Sequence, residues 1–83
     1  IAGITAERGF LLHDLEEAEF SRAILHNATR RMVAADGAKM GRVAPITLCA
    51  PDLIDVLVTD IAPPANLMTA ARQWNTKIEV AQP

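Results

Sequence analysis

The sequence predicts an α/β fold in which helices flank a mostly parallel sheet. The prediction depends on short apolar runs that end at Gly, Pro or Asp, and on amphipathic segments of helical length between them. Apolar residues make up 51% of the chain, but the aromatic ones are only two Phe and one Trp. The core is therefore expected to be aliphatic. Strands joined by helix-length connections favour parallel pairing with right-handed crossovers.

The N-terminal half is predicted to hold one helix and one strand. Residues 2–9 are expected to form a loop, and a helix capped by Asp14 follows and runs to about residue 30. Its apolar face has helical spacing and consists of Phe20, Ala23, Ile24 and Ala28. Residues 32–36 form a short apolar run closed by Gly37, which is typical of a buried strand.

The C-terminal half is predicted to alternate strands with a second helix. Residues 38–41 form a loop or one helical turn, and residues 45–49 a short extended segment. Residues 54–60 are rich in β-branched side chains and predict a strand covered on both faces. A helix opens at Pro63 and Pro64, presents Leu67, Met68, Ala71 and Trp74 on one face and ends at Asn75. Residues 77–81 are the last strand.

Composition excludes several classes of function. The formal net charge is −2 and the eight basic residues are scattered, so no nucleic-acid-binding patch is expected within the chain. Cys49 is the single cysteine, which excludes an internal disulfide, and we interpret it as a small buried hydrophobe. His13 and His26 lack partners at metal-ligand spacing. Neither a membrane-spanning stretch nor a cofactor fingerprint occurs, and we expect a cytoplasmic, non-catalytic protein without cofactor or metal.

The turn after the strand at residues 32–36 is the clearest candidate site. Asp36 ends the strand, and Lys39 lies in a turn between Gly37 and Gly41, at the sheet edge where α/β proteins bind ligands. The Lys39 ammonium would neutralise a phosphate there, unless it is simply solvated. Asp36 and Asp60 are either paired acids or acceptors of backbone hydrogen bonds in the following turns, and the second interpretation is preferred.

Glu17 also has two interpretations. Three residues after Asp14, it fits a capping box, in which its carboxylate would bond back to the start of the helix. Alternatively, it projects into the same cleft as Lys39 and accepts hydrogen bonds from sugar hydroxyls. Local pattern favours the cap.

Three motifs in order resemble the C-terminal sensor domain of DeoR-type transcriptional repressors. Residues 3–9, followed by Asp14, Glu17-Ala18 and Arg22, resemble the glycine loop and "D-x-x-E-A…R" helix start of that family. Residues 36–41 resemble its "D-x-S-K-x-G" turn, and residues 54–60 its "I-D-x-L-I-T-D" strand. The chain departs from the family at Ala2, where Asp is frequent, and at Ala38, where Ser is usual.

The resemblance implies a fold like that of ribose-5-phosphate isomerase and the CoA transferases. It further implies a homo-oligomeric repressor that senses a phosphorylated sugar or polyol and binds DNA through an N-terminal helix-turn-helix domain. By motif position, Lys39 and Glu17 would bind the effector, with support from Asp14 and Asp36. We expect residues 1–83 to be a single fragment of this sensor domain, without its N-terminal part or the helix-turn-helix domain.

Two other functions remain open at this point. A sugar-phosphate isomerase of similar fold would use Glu17 as its base, but the companion acids expected nearby are not visible in the sequence. An oligomerisation module would place Trp74 or the last strand at a subunit interface, although Trp74 fits the core equally well.

Overall fold

The structure is a computed structural model that describes residues 1–81. These residues form two three-stranded sheets and two α-helices. The elements in chain order are β1 (Gly3–Thr5), β2 (Gly9–Leu12), α1 (Leu15–His26), β3 (Met32–Ala34), β4 (Ile46–Thr47), β5 (Val56–Thr59), α2 (Ala65–Gln73) and β6 (Lys77–Val80). Short 3₁₀ turns at Gly37–Lys39 and Pro51–Leu53 connect β3 to β4 and β4 to β5.

The strands form one parallel and one antiparallel sheet. β3, β5 and β6 pair in parallel with β5 in the centre, and β1, β2 and β4 pair antiparallel with β2 in the centre. The prediction of an α/β fold with a parallel sheet is thus confirmed, but the prediction of a single, mostly parallel sheet is wrong. The first strand of the antiparallel sheet, β1, lies within residues 2–9, for which a loop was predicted.

The N-terminal hairpin forms because its short strands are almost entirely buried. Ile4 pairs with Phe10 in register, and both are 0% exposed. The Thr5 hydroxyl accepts a hydrogen bond from the Arg8 amide (3.0 Å), which closes the turn between the strands. The segment is therefore ordered by burial and by turn chemistry.

Helix α1 begins as predicted and ends early. The Asp14 carboxylate accepts a hydrogen bond from the Glu16 amide (2.9 Å), which confirms the cap. The helix stops at His26, four residues before the predicted end at residue 30. The Asn27 side-chain amide donates to the Ala23 carbonyl and the Arg31 guanidinium to the Leu25 carbonyl, so side chains satisfy carbonyls of the last turn.

The apolar face predicted for α1 exists but is largely exposed. Phe20 is 69% exposed and Ile24 is 55% exposed, and Ala18 is the buried residue of Leu15–His26. The helix meets the rest of the chain through Ala18, the partly buried Leu25 and the Arg22 guanidinium, which donates to the Leu48 and Thr47 carbonyls.

The remaining elements follow the predictions with shorter bounds. β3 ends at Ala34, two residues before Asp36, and β5 begins at Val56 because a 3₁₀ turn occupies Pro51–Leu53. Helix α2 starts directly after Pro64, and Asn75 has a φ of 59°, a left-handed conformation suited to ending a helix. β4 and β6 lie within the segments predicted to be extended.

The core lies between the two sheets and the helices. Its largest fully buried side chains are Phe10, Ile4, Leu11, Ile54 and Leu57. The Trp74 ring packs against Phe10, with centroids 5.9 Å apart and planes tilted by 52°, so the core interpretation of Trp74 is confirmed. Neither helix described in residues 1–81 is long and apolar enough to cross a membrane.

Candidate functional site

A pocket of about 270 Å³ brings the two main predicted site residues together. It lies between the first turn of α1 and the turn that follows β3, and is lined by Ile1, Ala2, Leu12, His13, Glu17, Lys39 and Arg42. Lys39 and Glu17 are thus on the same pocket, as predicted. Asp14 and Asp36 do not line it. We call it the Lys39 pocket.

Two successive turns shape the segment that carries Lys39. The first is the 3₁₀ turn Gly37–Lys39, whose first residues are capped by Asp36. The second runs from Lys39 to Arg42 and is closed by a hydrogen bond from the Arg42 amide to the Lys39 carbonyl (3.2 Å). Met40 has φ −70° and ψ 122°, and Gly41 has φ 80°. These angles define a type II turn, in which glycine suits the third position because φ is positive there.

This segment is fastened to β1. The Gly41 amide donates to the Ile4 carbonyl (2.7 Å), and Met40 forms a parallel bridge with Ile4. Gly3 lies so close to the Arg42 carbonyl that a Cβ atom at position 3 would overlap its oxygen. The backbone under Lys39 and Arg42 is therefore fixed by a strand from the other sheet.

Asp36 and Asp60 accept backbone hydrogen bonds, as the preferred interpretation predicts, although Asp60 accepts from the turn after β3 and not from the turn that follows it. The Asp36 carboxylate accepts from the Ala38 amide (3.0 Å), and the Asp60 carboxylate from the Gly37 amide (2.7 Å). Both residues line a second, shallow pocket at the carboxyl ends of β3 and β5. Asp36 thus orders the turn that carries Lys39, and Asp14 in the same way caps the helix that carries Glu17.

The capping-box interpretation of Glu17 is wrong. Asp14 accepts from the Glu16 amide, and within residues 1–81 the Glu17 carboxylate accepts no hydrogen bond. The side chain is exposed on the first turn of α1 and lines the Lys39 pocket. Its carboxylate is therefore available to a ligand, and it sits near the positive end of the helix dipole.

His13 and Arg42 are pocket residues that were not predicted. His13 is placed there because β2 ends at Leu12 and the cap of α1 follows at Asp14. Arg42 follows the glycine that ends the predicted turn. Its proximity in sequence to Lys39 was the available signal, but only the type II turn brings both cations to one pocket.

Hydrogen bonding separates Arg42 from three of the six arginines of the chain. Arg8, Arg22 and Arg31 each donate to backbone carbonyls and hold elements together. Among residues 1–81, the side chains of Lys39 and Arg42 make neither a hydrogen bond nor an ion pair; the one ion pair in that range joins Lys77 to Glu79 (3.2 Å). The Lys39 pocket thus combines two uncommitted cations, one carboxylate and one imidazole.

A third pocket, between α1 and β3, has a different character. It is lined by Ile1, Ser21, Ile24, Leu25, Met32, Val33, Ala34 and Leu48, none of which is charged. Such a lining offers nothing to neutralise an anion. The chemistry of the Lys39 pocket therefore suits a charged, hydroxylated ligand better.

Cys49 packs against the core, as predicted, but it is only half-buried. This burial raises the pKa of its thiol, an effect that the nearby Arg22 charge only partly opposes. Because the thiolate is the reactive form, a raised pKa lowers the reactive population at a given pH. We expect iodoacetamide at pH 8 to alkylate Cys49 in the folded chain several-fold more slowly than in the chain unfolded in urea. Equal rates would contradict this assignment.

Comparison with known proteins identifies the family to which the chain belongs. Residues 1–61 match the sequence model of the family described as "DeoR C terminal sensor domain". The glycerol-3-phosphate regulon repressors of Escherichia coli (strain K12) and Shigella flexneri are each 29% identical over 80 residues, which cover 96% of the chain. The chain spans 32% of the length of each of these relatives. With three motifs in order and a family match over most of its length, the chain belongs to the DeoR C-terminal sensor domain family.

Proposed function

We propose that the chain binds a phosphorylated sugar or polyol in the Lys39 pocket, and that this binding controls a transcriptional repressor. The observation that carries the proposal is the convergence of Lys39 and Glu17 on one pocket. Lys39 would neutralise the phosphate, since an ammonium is a compact point charge on a flexible stem. Glu17 would accept hydrogen bonds from hydroxyl groups of the ligand.

A polyol phosphate is the first ligand to test. The curated relatives are named for a glycerol-3-phosphate regulon, and a ligand of that size needs only one anion-binding group and a few hydroxyl contacts. The chain spans about a third of those relatives, so DNA binding is proposed for a helix-turn-helix domain outside these 83 residues. A cytoplasmic, homo-oligomeric repressor is part of the same proposal.

Control of DNA binding requires that the effector binds two states of the repressor with different affinity. The Lys39 pocket is built from two separate parts of the chain, the end of β2 with the start of α1 on one side and the turn after β3 on the other. A ligand that joins Glu17 to Lys39 would therefore favour whichever state holds these two parts together.

The arrangement favours a sensor over a sugar-phosphate isomerase. An isomerase needs a positioned base with further acids beside the substrate. Glu17 is the one carboxylate that lines the Lys39 pocket, and the Asp36 and Asp60 carboxylates are bound to backbone amides at a different pocket. We expect the intact protein not to turn over pentose phosphates, and detectable isomerisation would overturn this part of the proposal.

The chain offers a matched test, because Lys39 and Lys77 are its two lysines. In the intact repressor, Lys39→Ala should weaken binding of glycerol 3-phosphate, or of whichever sugar phosphate stabilises the wild type, by about tenfold or more, since it removes a charged hydrogen-bond donor. Lys77→Ala should have little effect, because Lys77 is exposed and forms a surface ion pair with Glu79.

Two readouts make the test decisive. Thermal unfolding with a phosphate ester and with its unphosphorylated parent reports binding, since a ligand specific to the folded state raises the melting temperature. Release of operator DNA by the repressor reports whether the ligand controls DNA binding. The proposal fails if Lys39→Ala and Lys77→Ala respond to the ester equally.

A further inference from the structure

We infer that Arg42, together with Lys39, makes the Lys39 pocket selective for a doubly charged phosphate monoester over a singly charged or neutral ligand, and that His13 donates a hydrogen bond to the bound anion. This inference rests on the proposed function, because it concerns the same pocket. It assigns roles to two residues that neither the motifs nor the family match identified. The anion would sit at the end of the pocket formed by Lys39 and Arg42, and the hydroxyl groups of the ligand at the end formed by Glu17.

The first step is that Arg42 has no hydrogen-bonding role in the fold and lines the pocket; Arg30 and Arg72 also lack such a role within residues 1–81, but they do not line it. Arg8, Arg22 and Arg31 bind carbonyls of neighbouring segments. Arg42 is exposed, and within residues 1–81 its guanidinium has no partner. A guanidinium presents a planar fork of donors that matches two phosphate oxygens. Arg42 is therefore a free group of the type that binds phosphate in the bidentate manner.

The second step is that the backbones of Lys39 and Arg42 are fixed relative to one another. The Lys39–Arg42 turn is closed by its own hydrogen bond, and the next bond along ties Gly41 to Ile4 in β1. The two cations therefore start from a rigid turn. A fixed backbone favours binding of an anion by these two side chains, because less of the chain must be ordered when the anion binds.

The third step concerns charge. Lys39 and Arg42 attract an anion, whereas the Glu17 carboxylate repels it, and a second negative charge on the ligand strengthens the attraction to both cations. The chain as a whole carries a formal charge of −2, so an anion gains from this pocket and not from the overall field. A neutral polyol would gain only from the hydroxyl contacts.

His13 is a further lining residue of the pocket. It follows β2 directly, lines the pocket together with Lys39 and Arg42, and is exposed. Its imidazole offers an N–H donor. As a third donor in the same pocket, it would bind an ester oxygen that the two cations leave free. His13 would thus add to the affinity for either ester, while the preference for the dianion comes from the two cations.

The test compares two esters of one alcohol. Glycerol 3-phosphate is mostly doubly charged at pH 7.5, because its second pKa lies near 6, and glycerol 3-sulfate is singly charged with a similar shape. Titration calorimetry on the intact protein should show the phosphate binding about tenfold more tightly than the sulfate, in line with one additional charged interaction. Glycerol itself should bind more weakly than either ester.

Substitutions assign this preference to residues. Arg42→Gln should reduce the phosphate-to-sulfate ratio several-fold and leave the part that is due to Lys39, and Arg42→Lys should keep most of the ratio. His13→Gln should weaken binding of the phosphate by a few-fold. Arg72→Gln, an exposed arginine on α2 that does not line the pocket, should change nothing. Thermal melting of each variant without ligand checks that it is folded. If Arg42→Gln does not fold, Arg42→Lys still tests the role assigned to Arg42.

The outcomes distinguish this inference from the proposed function. If both esters bind equally well and Lys39→Ala still weakens them, selectivity for the dianion is wrong and the effector pocket remains. If the phosphate is preferred but Arg42→Gln keeps the preference, the assignment to Arg42 is wrong. Should neither ester nor any sugar phosphate bind at millimolar concentration, the proposed function falls and this inference falls with it.

Discussion

Replacing Phe10 by Ala should lower the free energy of unfolding by about 3–5 kcal/mol, the usual range for a buried Phe. Phe10 is 0% exposed, belongs to the core cluster with Ile4 and Leu57, and packs its ring against Trp74. A chain of 83 residues is stabilised by roughly 4–12 kcal/mol in total, so this single change should remove a large part of the stability.

Phe20 provides the matched control, because it is the other Phe of the chain and is 69% exposed. Phe20→Ala should change the free energy of unfolding by about 0.5 kcal/mol or less, as is usual for surface positions. Urea unfolding followed by circular dichroism measures both variants. If the two substitutions cost the same, Phe10 is not at the centre of the core and the pairing of β1 with β2 is in doubt.

The contrast between these two residues shows where sequence spacing stops being informative. Phe20 belongs to an apolar stripe at helical spacing, and the stripe correctly predicts a helix. Spacing does not show whether another element covers the stripe, and in residues 1–81 Phe20 and Ile24 remain exposed. Phe10 lies in a strand of four residues, which is too short for its alternation to stand out from a loop.

The parallel sheet was predictable because its signals are local. A run of β-branched residues ended by Asp, followed by two prolines and an amphipathic segment, predicts β5 and α2 from one stretch of sequence. The antiparallel sheet depends on pairing of β2 with β4, which are more than thirty residues apart. No local pattern specifies such a partner. The loop prediction for residues 2–9 failed for a different reason: β1 pairs with its neighbour β2, but strands of three and four residues are too short for their pattern to stand out from a loop.

The candidate site also has one part that local sequence predicts and another part that depends on distant contacts. Asp36 and Lys39 lie in one turn, and their arrangement follows from a strand end and two glycines. Arg42 and His13 were not predictable, because their position beside Lys39 depends on the bridge between Met40 and Ile4, which sets the turn beside β1. The convergence of Glu17 with Lys39 came from the resemblance to a family, and the local pattern taken alone had favoured a capping role for Glu17.

The second large effect is expected at Gly3. A Cβ atom at this position would overlap the Arg42 carbonyl oxygen and lie 2.8 Å from its carbonyl carbon. Both are backbone atoms, so the side chain cannot swing away and the Lys39–Arg42 turn must move. Gly3→Ala should therefore lower the free energy of unfolding by about 1–3 kcal/mol, as overpacking does. It should also weaken binding of glycerol 3-phosphate, although residue 3 itself does not line the Lys39 pocket.

Gly41→Ala separates crowding from backbone strain. A Cβ atom at position 41 would meet nothing within 4 Å, but the residue has a φ of 80°, so the cost is roughly 1–2 kcal/mol of conformational strain alone. A double-mutant cycle then locates the effect on binding. If Gly3→Ala acts by moving Lys39, it should weaken binding much less in a Lys39→Ala background than in the wild type, because coupled residues are not additive. Additive losses would show that β1 does not position the turn, and the pocket would then owe its shape to the turn itself.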